Sequence, residues 1–195
     1  MLDADYVQAH LSAAWRIMAT AKGDALARMD ISAEGFWRSF WSILLALPPM
    51  LLSWVAAAPD FSDGSALSAT VLRLGLADLA AWLLPIALLA LIGNGIGMGR
   101  SFAAYVIATN WGSAILVWLA VPPALVRLLS PGEPDPSGFL SLTIFLVSLA
   151  LGWRITHGSI GRDAMYSTAI FIGMAVTSVL VLVAMHSLLG LTSQP

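Results

Sequence analysis

The sequence predicts an all-α, polytopic membrane bundle of about five transmembrane helices, preceded by a cytoplasmic amphipathic helix. Composition is the first reason. Of 195 residues, 59% are hydrophobic and 10% charged, with a mean hydropathy of +0.86, against roughly 45–50% and about 25% in soluble domains. The second is a series of apolar windows near the length a bilayer requires, about 20 residues each. The third is the segregation of Lys and Arg between alternate loops. A net charge of −2 offers no cationic surface for a phosphate backbone, so nucleic acid is not an expected partner. With no Cys, disulfides, thiolate metal sites and iron–sulfur clusters are excluded.

The chain opens MLDADYVQAHLSAAW, which has neither the basic start nor the continuous apolar run of a cleavable signal. Within residues 3–28, Val7, Leu11, Ala14, Trp15 and Met18 recur at helical spacing, against Asp5, His10, Arg16 and Lys22 elsewhere. Such a helix has three uses: packing on its own membrane domain, lying on the membrane surface, or docking a partner. Gly23-Asp24 ends it, and a second helix starts near Asp30 or Ser32, with Glu34 in its first turn. We assign residues 1–35 to this cytoplasmic segment, 36–190 to a five-helix membrane domain and 191–195 to a short tail.

The apolar windows are 36–57, 69–92, 101–126, 138–153 and 164–189. The fourth is short, so two readings stand for it: an upright span extended into its Gly/Ser flank, or a re-entrant segment. Pro48 and Pro49 in the first span, Pro85 in the second, and Pro122 and Pro123 in the third remove helix donors and are expected to kink those helices. Arg16, Lys22, Arg28, Arg38, Arg100, Arg154 and Arg162 fall on one side of a five-span alternation, while Arg73 and Arg127 fall on the other. The N-terminus is therefore expected in the cytoplasm and the C-terminus outside, which in a bacterial inner membrane means the periplasm. Asp60, Asp63, Glu133 and Asp135 belong to the opposite loops. Trp37, Trp41, Trp54 and Trp153 fit interfacial belts.

Asp78 is the most informative residue. At a rise of ~1.5 Å per residue it lies about 13 Å inside a span that starts near Ala69, close to the midplane. A carboxyl group there costs ~2.5–3.5 kcal/mol on insertion scales, so it needs a partner or a polar cavity. Arg73 is ~140° around the helix from it and points to a different face. In an antiparallel hairpin about residues 93–97, Asp78 is level with Asn110 and Ser113, and an Asp78–Asn110 hydrogen bond is expected. That cluster reads either as structural glue between helices or as a proton or cation relay. Gly93–Gly99 satisfies no phosphate-loop pattern and reads as a turn. His10, His157 and His186 lack metal-ligand spacing, and Ser159 near His157 lacks an orienting partner. No metal site, cofactor or enzymatic activity is expected. Convergence of Asp78, His157 and Ser159 on one wet cavity would favour an enzyme.

The run from Leu91 to Ala114, LIGNGIGMGRSFAAYVIATNWGSA, resembles the Yip1-domain membrane proteins, in which a glycine-containing turn and a Ser/Thr-Phe step lead into a third helix. Leu151-Gly-Trp-Arg before the last helix adds to the resemblance. It implies a compact five-helix protein. Eukaryotic members act in vesicle trafficking through small GTPases and partner membrane proteins, but their acidic and aromatic signature is absent from residues 1–35. The lean loops point to a bacterial inner-membrane form. Together these features lead to a non-enzymatic protein that organises protein partners or lipids in the bilayer, alone or as a homo-oligomer. The alternative is a small transporter or permeation subunit using Asp78.

Overall fold

The structure, a computed structural model, describes residues 3–61, 65–130 and 138–191. Asp63, Glu133, Asp135 and residues 192–195 of the tail lie outside them. Helix α1 (Ala4–Thr20) starts at Asp3, whose side chain accepts from the Asp5 N–H, and ends at Ala21 in the left-handed conformation. A 3-10 turn (Gly23–Arg28) leads to α2 (Ala33–Ser39), where the cap is Ser32: its Oγ accepts from the Gly35 N–H at 3.1 Å. Asp30 in turn accepts from the Ser32 N–H, and these hydrogen bonds hold its carboxyl below the usual range. Then follow α3 (Ser42–Ala57), α4 (Leu67–Ile92), α5 (Phe102–Trp118), α6 (Val121–Leu129), α7 (Gly138–Ile160) and α8 (Ala164–Leu188).

Five segments are long and apolar enough to cross a membrane: Ala33–Phe61, Leu67–Ile92, Phe102–Leu129, Gly138–Ile160 and Ala164–Leu188. The fourth is therefore a helix of 23 residues, extended into its Gly/Ser flank and long enough to span. It escaped the hydropathy window because its last turns, Arg154–Ile160, are polar yet helical. Trp153 consequently sits within α7, donating to Thr168 of α8 at 2.9 Å and stacking on His157. The first span is not continuous from residue 36 but breaks at Phe40–Trp41. The third breaks at Leu119–Ala120, where Pro122 and Pro123 open a new helix in the first turn, the one place their missing N–H costs nothing.

Laterally, α4 packs chiefly on α8, while α5 packs on α3, α7 and the N-terminal helices. The outer faces of α7 and α8 carry Phe139, Leu146, Val179 and Leu180, all exposed. Only 6% of the most apolar window in each of these helices is buried, so what covers them is a bilayer, not a core.

Helix α1 packs on α5 and α7, the first of its three uses. The buried stripe is His10, Ala13, Ala14, Ile17 and Met18, which shares Ala14 and Met18 with the expected apolar one but is turned from Trp15, 52% exposed, toward His10, only 3% exposed. His10 is accepted into the interior because both ring nitrogens are partnered. Nδ1 donates to the Tyr6 carbonyl at 2.8 Å and Nε2 accepts from the Asp30 N–H at 3.0 Å. Close approach depends on small residues. At Gly158 an added Cβ would meet Ile17 at 2.5 Å, and at Gly112 it would meet Ile155 at 2.5 Å. Beside this layer the loops 93–101 and 161–163 join through bonds from Arg162 to the Gly97 carbonyl and from Tyr166 to the Ile96 carbonyl.

Candidate functional site

A cavity of about 580 Å³ lies inside the bundle between α3, α4, α5 and α8. Asp78, Asn110 and Ser113, the three midspan residues singled out in the sequence, all border it, as does Pro85. The hydroxyls of Ser53, Thr109 and Ser178 join them.

The expected Asp78–Asn110 hydrogen bond does not form. Each group instead takes a tryptophan N–H. Trp54 of α3 donates from Nε1 to Asp78 Oδ2 at 2.6 Å, and Trp82 of α4 donates to Asn110 Oδ1 at 3.1 Å. The first bond exists because Gly75, one turn before Asp78, has no side chain. A Cβ there would lie 3.0 Å from Trp54 Cζ3, so the bare backbone lets the indole lie against α4. Asp78 and Asn110 border the same cavity, as the hairpin argument brings them together. It assumed that helices joined by a turn pack along their lengths, whereas here the cavity opens between them.

Asn110 is fully buried and uses its other end to donate to Ser39 Oγ at 2.9 Å, which donates to the Phe36 carbonyl at 2.7 Å. A polar chain thus runs from α4 through α5 to α2, with every group satisfied in the direction the donors require.

The proline carbonyls follow the same logic. Pro85 supplies no N–H to the carbonyl of Ala81, four residues earlier. Ser178 of α8 donates to that carbonyl at 2.8 Å. Pro49 leaves the Leu45 carbonyl in the same position, and Trp118 Nε1 reaches it at 3.1 Å. Pro49 and Pro85 lie inside helices that run on past them, since neighbouring side chains replace what the proline removes. Trp54, Trp82, Trp118 and Ser178 are the hydrogen-bond donors that sequence reasoning missed. Their signal was present, a donor at the depth of each orphaned acceptor, but the neighbour relations that select them were not.

His157 and Ser159 stand apart from the cavity. His157 Nδ1 lies 3.2 Å from Ser167 Oγ, and Ser159 donates to the Thr156 carbonyl. Among the described residues, no three His, Asp or Glu side chains are grouped as metal ligands. At the far end of the bundle Arg127 pairs with Asp60.

Fold and site together define an integral membrane protein of α-helical type with a cavity among four of its helices that gathers several polar side chains. Compared with protein-family models, with curated proteins and with solved structures, the chain matches none.

Proposed function

We propose that this chain is a small transporter or permeation subunit that admits a solute to the cavity and contacts it through Asp78. One observation carries the reading: polar side chains from four helices, Ser53, Asp78, Asn110 and Ser178 among them, border a single space of about 580 Å³. Polar groups inside a membrane are expensive, and a cavity that gathers them is a functional feature more often than a packing accident. Glue between helices would need no empty volume. The reading involves no chemical reaction. The N-terminus lies in the cytoplasm in this proposal, because the α1 end gathers Arg28, Arg100 and Arg162, and a bacterial inner membrane is its setting.

Native mass spectrometry of the protein released gently from its own membrane tests this. Wild type is expected to carry a small-molecule mass that Ser113→Leu, which puts a larger apolar side chain on the cavity wall, does not. The same species on both variants would sink the proposal.

A second reading, an organiser of membrane-protein partners or lipids as the Yip1 resemblance implies, is favoured by one feature. Val7, Leu11 and Trp15 of α1 form an apolar groove with Ile115 that the protein leaves open. Reproducible protein partners in the same spectrum, lost with Trp15→Ser, would move the assignment there.

A further inference from the structure

The chemistry of the cavity wall selects what it can hold. Most polar hydrogens at the cavity are already engaged within the protein: Trp54 with Asp78, Trp82 with Asn110, Ser53 with the Pro49 carbonyl, Thr109 with the Tyr105 carbonyl and Ser178 with the Ala81 carbonyl, while the Ser113 hydroxyl stays available. A hydroxyl that donates to a carbonyl has only lone pairs left for a ligand. The wall includes no Lys or Arg. Asp78 has one oxygen on the Trp54 indole, and neither of its contacts is a fixed cation. His186 of α8, the other titratable group acting on it, turns its ring edge-on to Phe61 and does not border the cavity. The remaining surface is apolar: the rings and thioethers of Trp82, Tyr105, Met50 and Met174 beside aliphatic groups such as Ile86 and Leu116.

An anion would find almost no donors there. A bare metal ion would leave most of the volume empty and lack the surrounding oxygens it requires. A positively charged group bearing N–H donors meets a carboxylate, hydroxyl lone pairs and aromatic faces together. We infer that the cavity binds an organic ammonium ion, with Asp78 as its counter-ion, the hydroxyl oxygens of Ser53, Thr109 and Ser178 as acceptors, and Trp82 as an aromatic wall. This deepens the transport reading and rests on it, because it names the class of solute the same cavity would admit.

The test uses the full-length protein in nanodiscs of zwitterionic lipid, titrated calorimetrically against empty discs. Three probes share one shape: 2-phenylethylammonium, neutral 2-phenylethanol and anionic 3-phenylpropionate. Wild type is expected to bind the ammonium about tenfold or more tightly than either other probe. Asp78→Asn retains shape and the acceptor for Trp54. It is expected to weaken the ammonium about tenfold while leaving the alcohol within about twofold. An unchanged ammonium affinity in Asp78→Asn, or a preference for the anion, overturns the inference. If the alcohol binds wild type but not Ser113→Leu, and charge brings no preference, the cavity remains a binding site and only the ammonium assignment fails. Failure of all three probes to bind wild type defeats both.

Discussion

The two sides of α5 are built on opposite principles. Toward α1 and α7 it is closed: Ile107, Ala108, Trp111 and Gly112 are buried, with Met18, Ile17 and Ile155 packed against them. Toward α4 and α8 it is open, and Thr109, Ser113 and Leu116 face the cavity. On the closed side Gly112, Gly158, Ala13, Ala14 and Ala108 leave room for Trp111, Ile17 and Ile155 to interdigitate. On the open side large indoles reach across from α3 and α4 and hold the walls apart through hydrogen bonds. The same helix is therefore tight where its neighbours offer Gly and Ala, and hollow where they offer Trp and Pro. A membrane bundle lacks a hydrophobic drive to collapse such a space, because lipid is as apolar as the core.

The largest effect is expected from placing one side chain on each side. Gly158→Leu puts a branched group where a Cβ alone meets Ile17 at 2.5 Å and the Ala21 backbone at 3.4 Å. It should cost about 2–4 kcal/mol and loosen α1. Thermal unfolding in detergent and protease cleavage between residues 21 and 31 both read this. Leucine at Ser113 enters the cavity instead and should change stability by less than about 1 kcal/mol. Equal losses at the two positions would break the comparison.

Next is the strut. Asn110→Ala leaves the Trp82 indole N–H and the Ser39 hydroxyl without their partner, at a cost of about 1–3 kcal/mol. Adding Trp82→Phe should then cost less than it does alone. A double-mutant cycle with no coupling would show that this bond does not hold the wall.

A smaller effect belongs to the closed side. Burial, aided by the Asp30 carboxylate, raises Tyr6 above its ordinary 10.0, and the Arg38 guanidinium over its ring acts the other way. The folded chain keeps a phenolic proton that the unfolded chain releases. Stability from this source is complete below pH 10 and falls as the pH rises through the folded value. Tyr6→Phe should flatten that alkaline decline in a denaturation series and leave the neutral region parallel to wild type.

The smallest concerns Ser42, fully buried with no hydrogen-bond partner for its hydroxyl. Ser42→Ala removes an unsatisfied polar group at little loss of volume. Its unfolding midpoint should equal wild type or exceed it slightly.

The cavity was half legible. Asp78, Asn110 and Ser113 stood out because a charge or amide deep in an apolar window announces itself, and counting residues from a shared turn sets their depths level. Their partners did not stand out, since Trp54 and Trp82 look like ordinary apolar bulk in any hydropathy profile. The α1 helix misled for a related reason. Its most apolar stripe includes Trp15, yet close contact with Gly158 and Gly112 favours Ala13, Ala14 and Ile17, and brings in His10 once the Tyr6 carbonyl and the Asp30 N–H satisfy it. The polar end of α7 was lost from the hydropathy window because α1 covers it in place of lipid.

Membrane location, the five-span count and the depth of each polar residue were set by the sequence alone, because apolar length and helical rise run along one dimension and the bilayer imposes both. Which helices became neighbours was decided by the tertiary structure. That choice depends on side-chain size and donor position across segments distant in the chain, and it gave Asp78 to Trp54 and Ala81 to Ser178 and left a cavity between their helices.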